Sequence, residues 1–179
     1  NYRRKVSQAT GAVNRLNNRT AIVTGGAQGF GAGIAEALYS KNMNVVVADL
    51  NEDTGQAFVE KLSLKKSSGK SVFMKTDVSD PLSVKELILS TVREFGGLDL
   101  MISNAGVLKA GGLDEMEPDI FTKTTEVNYN GYFHCAKYAS EVMKIQNHEN
   151  HDHFTDIIQI NSKSGLKGSN RNFAYSGAK

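Results

Sequence analysis

Tyr175 and Lys179 stand four residues apart in the segment YSGAK. On an α-helix that interval puts both side chains on one face, so a phenol and an ammonium can share a site. A free phenol titrates near 10, and bringing one to roughly 7, where it can act as a base, takes about 4 kcal/mol. One cation about 4 Å away supplies on the order of 4 kcal/mol at an effective dielectric near 20. The pair therefore has the makings of a general acid–base that takes a proton from a hydroxyl or returns it to a carbonyl oxygen. From Ile157 to Lys179 the cations Lys163, Lys167, Arg171 and Lys179 occur with no acid among them. With Lys109 they are candidate contacts for a substrate phosphate, because clustered cations select phosphorylated over neutral polyols.

A second group of residues lies near the start. The β-branched run TAIVT at 20–24 leads directly into Gly25, Gly26, Ala27, Gln28, Gly29, Phe30 and Gly31, and a helical pattern begins at once. Backbone without Cβ at a strand-to-helix turn lets a pyrophosphate approach the N–H groups at the positive end of the helix. The strict GxGxxG spacing is absent, because Ile34 stands where its third glycine would fall counting from Gly29. About 20 residues further on, a second β-branched run ends at Asp49, where a carboxylate accepts a hydrogen bond from a ribose 2′-hydroxyl and repels a 2′-phosphate. Leu50 and Asn51 follow, with no Arg or Lys to hold that phosphate. NAD is favoured over NADP.

These residues need a scaffold, and the apolar pattern supplies one. Short runs at 20–24, 44–49, 71–76, 98–103 and 155–160 predict five strands. Helical spacing predicts helices over 29–41, 52–63, 81–95, 117–147 with an interruption near Asn128, and one starting near Ala174. Asp80 before Pro81 is an N-cap with proline at the first helical position, and Gly96-Gly97 closes that helix. Strand and helix alternate, which predicts an α/β doubly wound parallel sheet. The stretches 65–70 and 146–153 read as surface connections.

Composition excludes other classes. The 179 residues carry 21 Lys plus Arg against 19 Asp plus Glu, a formal charge of +2, too balanced for a nucleic-acid or membrane-surface binder. No apolar run approaches the roughly 18 residues of a membrane span. A single cysteine, Cys135, rules out an internal disulfide framework and favours a reducing, cytoplasmic setting. Cys135 and His134 fall in an apolar helical context and read as structural. His148, His151 and His153, with Glu149 and Asp152, have the side-chain types of a zinc site, but they lie in a connection and no metal is expected. Residues 1–18 form a basic arm with Arg3, Arg4, Lys5 and Arg15, and the first acid in the chain is Glu36.

Taken together, these segments resemble the short-chain dehydrogenase/reductase family. Its TGxxxGxG turn stands as Thr24, Gly25, Gly29 and Gly31. Its aspartate against the adenine matches Asp77, followed by Val78, in TDV; its NNAG segment reads Ser103, Asn104, Ala105 and Gly106. Its catalytic Asn, Ser, Tyr and Lys match Asn128 in EVNYNG, Ser162 in INSKSG, Tyr175 and Lys179. The resemblance covers residues 19–179 and implies a Rossmann-type sheet of order 3-2-1-4-5, C-terminally incomplete. It also implies NAD as cofactor, with Tyr175 and Lys179 touching it, and hydride transfer at a secondary alcohol or ketone. In that scheme Ser162 binds the reacting oxygen, and Asn128 holds a water that relays the proton of Lys179. IIQINSKSG followed by KGS and YSGAK is similar to the sorbitol-6-phosphate dehydrogenase branch, which implies a polyol or sugar phosphate substrate. An unphosphorylated alcohol is the alternative. The chain starts at Asn1 and ends at Lys179 within a helix start, so it reads as a fragment of a longer homo-oligomeric enzyme, weak or inactive alone. A non-catalytic NAD-binding piece is the remaining reading.

Overall fold

The strand run TAIVT forms because its β-branched residues fit a pleated, buried surface. In a computed structural model, which describes residues 15–168 and 170–179, it is the centre of a parallel sheet. The elements are β1 (Thr20–Thr24), α1 (Gly29–Tyr39), β2 (Asn44–Asp49), α2 (Glu52–Ser63), β3 (Ser71–Lys75), α3 (Pro81–Phe95) and β4 (Leu100–Ser103). Then come α4 (Pro118–Thr125), a π-turn (Glu126–Asn130), α5 (Gly131–Glu149), β5 (Asp156–Gln159), α6 (Lys163–Leu166) and α7 (Phe173–Gly177). Strand order is 3-2-1-4-5, as expected, and every pairing is parallel. The order reverses between β1 and β4, which opens a crevice at their carboxyl ends.

Successive residues of a strand face opposite sides, and both sides here are apolar. Ile22, Val46 and Met101 pack with Val84, Leu87, Ile88, Cys135, Ala139 and Met143, beneath α3 and α5. Ala21, Val23, Val45 and Val47 pack with Ala35, Tyr39 and Leu62, beneath α1 and α2. Each Val, Leu, Ile or Met among them taken from water contributes about 1.5–3 kcal/mol. Local chemistry sets the helix ends. Asp80 accepts from the Leu82 N–H at 2.9 Å, Pro81 opens α3, and Gly96 closes it at φ 82°. Asn51, and not Asp49, caps α2 by accepting from the Thr54 N–H.

Three details depart from the sequence reading. The stretch expected to break near Asn128 instead widens, with the Gly131 N–H reaching back five residues to the Glu126 carbonyl. A π-turn adds one residue without ending the helix. The loop at 146–153 is partly anchored: His153 lies 2.7 Å from Asp99 Oδ1, which also pairs with Arg19 at 2.6 Å. Of the basic arm, residues 15–18 form a turn tied to the domain by the Asn18 N–H and the Asn42 carbonyl, while 1–14 lie outside the described residues. Among the described residues no helix is long and apolar enough to cross a membrane.

Burial pushes the Cys135 thiol up to about 12, because the thiolate would lose its water inside the core. Iodoacetamide at mildly alkaline pH will therefore leave the native protein unmodified and alkylate it once guanidinium unfolds it. Intact mass reads the result, and fast labelling of the folded protein would contradict this packing.

Candidate active site

The glycine turn is shaped by what presses on it. Thr24 is buried at the end of β1, and its Oγ1 accepts from the N–H groups of Asn104 and Ala105 at 3.0 and 3.1 Å. The Asn104 amide donates in return to the Thr24 and Gly25 carbonyls at 2.9 and 3.1 Å. Gly31 sits behind the turn: a Cβ there would stand 2.1 Å from the Gly25 oxygen and 2.6 Å from the Asn104 amide nitrogen. Gly29, at φ +56°, faces open space. The Gln28 side chain does not cap α1, and no acid occupies its first turn. Among the described residues, the leading amides thus have no side-chain acceptor at the positive end of the helix.

Asp49 closes the other flank. Its Oδ2 accepts from the Ala27 N–H and its Oδ1 from the Asn51 N–H, both at 3.1 Å. A carboxylate has about four lone-pair sites, so capacity remains for a ligand hydroxyl. Asp77 accepts from both the hydroxyl and the N–H of Ser79. The Ser79 hydroxyl chiefly holds this carboxyl below its usual range, with help from the Ser79 N–H and the charge of Lys123, against the opposing effect of burial.

One cleft of about 590 Å³ joins these groups to the expected chemistry. Gly25, Gln28, Phe30, Asp49, Asp77, Val78, Asn104, Ala105 and Gly106 line it, and so do Ser162, Tyr175 and Lys179. Ser162 ends the loop after β5 and caps α6: its Oγ accepts from the Ser164 N–H at 3.2 Å, which leaves the hydroxyl hydrogen available to donate. The Lys179 ammonium donates to the Ile160 carbonyl at 3.1 Å, and burial pulls it below the ordinary lysine range. Gly106 separates Lys179 from Asn128, since a Cβ there would lie 3.2 Å from both Lys179 Nζ and Asn128 Oδ1.

The Asn128 side chain is held by backbone. Its amide accepts from the Val107 N–H at 2.8 Å and donates to the Val107 carbonyl at 2.9 Å, with 2% exposure. It braces the segment after Gly106 from behind the cleft wall. The proposed phosphate contacts do not converge on the cleft. Lys109, Lys163 and Lys167 are exposed and outside its lining, and Arg171 pairs with Glu115 at 3.0 Å. The sequence reading missed Lys123, which lines the cleft and reaches the Ser79 hydroxyl at 3.4 Å. Its place in a helical run with no motif left no signal. His134 bonds the Val78 carbonyl, a structural role. Among the described residues, no three His, Cys, Asp or Glu side chains are placed to hold a metal.

A doubly wound sheet with an uncapped helix behind a glycine turn, and a carboxylate ending β2, is a dinucleotide-binding module. The donor set and the open face at Gly29 fit a pyrophosphate. The chain belongs to the short-chain dehydrogenase family, whose sequence profile matches residues 19–179. It is 33% identical over 170 residues to trans-4-hydroxycyclohexanecarboxylate dehydrogenase of Sinomonas cyclohexanicum, covering 93% of this chain and 63% of that one. Tropinone reductase-like 2 of Erythroxylum coca is 36% identical over 167 residues, covering 91% and 58%. A Burkholderia phymatum short-chain dehydrogenase/reductase, solved in complex with NAD, superposes with a TM-score of 0.85 at 27% identity, covering 91% and 56%. The chain thus spans less than two thirds of each relative's length.

The packing at Gly31 makes a specific demand. Gly31→Ala should lower stability by about 1–3 kcal/mol through overpacking against the turn. Gly33→Ala, two residues on with nothing within 4 Å of its Cβ, should be neutral or stabilise by up to about 1 kcal/mol. Urea unfolding separates the two, and equal effects would contradict the geometry.

Proposed function

We propose that the protein carrying this chain is an NAD-dependent oxidoreductase interconverting a secondary alcohol and a ketone. The observation that carries the reading is the single cleft joining the glycine turn and Asp49 to Ser162, Tyr175 and Lys179. NAD, when bound, supplies the hydride acceptor for oxidation and the donor for reduction. The amides behind Gly29 hold its pyrophosphate, and Asp49 accepts from its ribose.

Tyr175 takes the hydroxyl proton during oxidation and returns it to the carbonyl oxygen during reduction. Ser162 donates to that same oxygen and fixes it beside the phenol. Lys179 lends positive charge to the phenolate, and the Ile160 carbonyl aims it. Burial makes its proton easier to lose than an ordinary lysine's, the direction required of a group that passes a proton on. Asn128 keeps Val107 and the cleft wall in place.

The exposure of Lys109, Lys163 and Lys167 outside the cleft lining, and the Glu115 partner of Arg171, favour an unphosphorylated alcohol over a polyol phosphate such as sorbitol 6-phosphate. A relative named for a hydroxycyclohexane acid points the same way.

NADH absorbance, followed with trans-4-hydroxycyclohexanecarboxylate, sorbitol and sorbitol 6-phosphate, tests both parts. The expected order places the phosphate last. In the same assay Tyr175→Phe should lose at least about 10²-fold in kcat while NADH affinity stays nearly unchanged. Substantial residual turnover would refute the role of Tyr175, and turnover of the phosphate alone would restore the cationic pocket.

A further inference from the structure

Helix α7, which carries Tyr175, has five residues. So short a helix makes few hydrogen bonds of its own, and its position is set by what it is tied to. The ties run to the loop between Gly106 and α4. The Gly111 N–H donates to the Arg171 carbonyl at 2.7 Å and the Phe173 N–H to the Gly111 carbonyl at 3.3 Å, a parallel bridge between Gly111 and Asn172. Glu115 Oε2 accepts from the Gly112 N–H at 3.2 Å and pairs with the Arg171 guanidinium at 3.0 Å. The Phe121 and Phe173 rings meet with centroids 6.1 Å apart.

Arg171 makes these contacts from a φ of +58°, in the left-handed region that side chains disfavour. Such a conformation persists where the surroundings over-determine it, and these sites cluster beside reacting groups. Four residues later comes Tyr175, inside the turn that the Ser176 N–H closes on the Asn172 carbonyl.

We propose that Glu115 and Arg171 form a clasp that positions α7, so that Arg171 is a positioning residue for Tyr175 and not a contact for substrate. This rests on the reading of Tyr175 as the acid–base. The clasp couples the loop after Asn104-Ala105-Gly106 to the loop before Tyr175, so the two walls at the substrate end of the cleft hold one spacing. The side chains of the pair are 64% and 48% exposed, so it adds little to global stability. Its effect lies in placement, where a displacement of about 1 Å can cost up to about 10²-fold in rate.

The test uses Arg171→Ala, Arg171→Lys, Glu115→Gln and the Arg171→Ala/Glu115→Gln double variant. Glu115→Gln keeps the acceptor for Gly112 and removes the charge. Each of Arg171→Ala and Glu115→Gln should lower kcat on the order of tenfold, with NADH affinity and melting temperature nearly unchanged. The double variant should be no worse than the poorer single, because both remove one interaction, and Arg171→Lys should recover most of the rate. Hydrogen exchange of Gly111 and of residues 173–179, read without cofactor or substrate, should quicken in Arg171→Ala and return in Arg171→Lys. A raised KM from Arg171→Ala with Glu115→Gln silent would overturn the clasp and make Arg171 a substrate contact. Unchanged exchange in all variants would also overturn it. Absence of turnover in the parent protein would count against the catalytic reading, and the exchange data would still decide the clasp.

Discussion

The site depends on four hydrogen bonds that join Thr24 and Gly25 to the segment that begins at Asn104. β1 and β4 are paired up to Val23 and Ile102; beyond that point they must diverge to leave a crevice, and their backbone groups would lose partners. The Asn104 amide takes over by reaching the Thr24 and Gly25 carbonyls, and Thr24 Oγ1 accepts from two amides in return. A buried polar group left unmade costs about 1–3 kcal/mol, so this exchange lets the sheet open without a large loss. It also fixes the glycine turn against the Ala105-Gly106 wall. Gly31 is the steric counterpart, because any larger residue would push the turn off Asn104.

From that junction the rest of the cleft follows in order. Asp49 steadies the turn through Ala27, Asn128 steadies the wall through Val107, and Gly106 leaves room for Lys179 to approach. The amino ends of β1 and β4 are pinned separately: Asp99 gathers Arg19, His153 and the Thr20 N–H. Each end of the sheet thus has its own polar clamp, with the apolar layers between them.

Much of this was legible in the residues. Strand β1, strand β2 and helices α2 and α3 begin and end where β-branched runs, Asn51, Asp80 and Gly96 place them, because those signals are local. The glycine turn, and the meeting of Ser162, Tyr175 and Lys179 with it in one cleft, were readable for the same reason, as short motifs in element contexts. What escaped was non-local. The π-turn adds one residue and shifts the helical period there, so the stretch read as interrupted near Asn128. Charge alone does not show direction, so Arg171 read as a phosphate contact when its partner Glu115 sits on a distant loop. His153 read as part of a free connection because Asp99 is remote in the chain. Lys123 carried no motif at all.

The proposed cradle for NAD, made by the Thr24–Asn104 junction and Asp49, leaves no partner for the 2′-phosphate that NADP carries. Calorimetric titration of the protein with NAD⁺ and, separately, with NADP⁺ tests it most directly. Saturable binding of NAD⁺ with NADP⁺ weaker by about tenfold or more, a difference of about 1.4 kcal/mol, is the predicted result. Preference for NADP⁺, or binding of neither, would contradict the account.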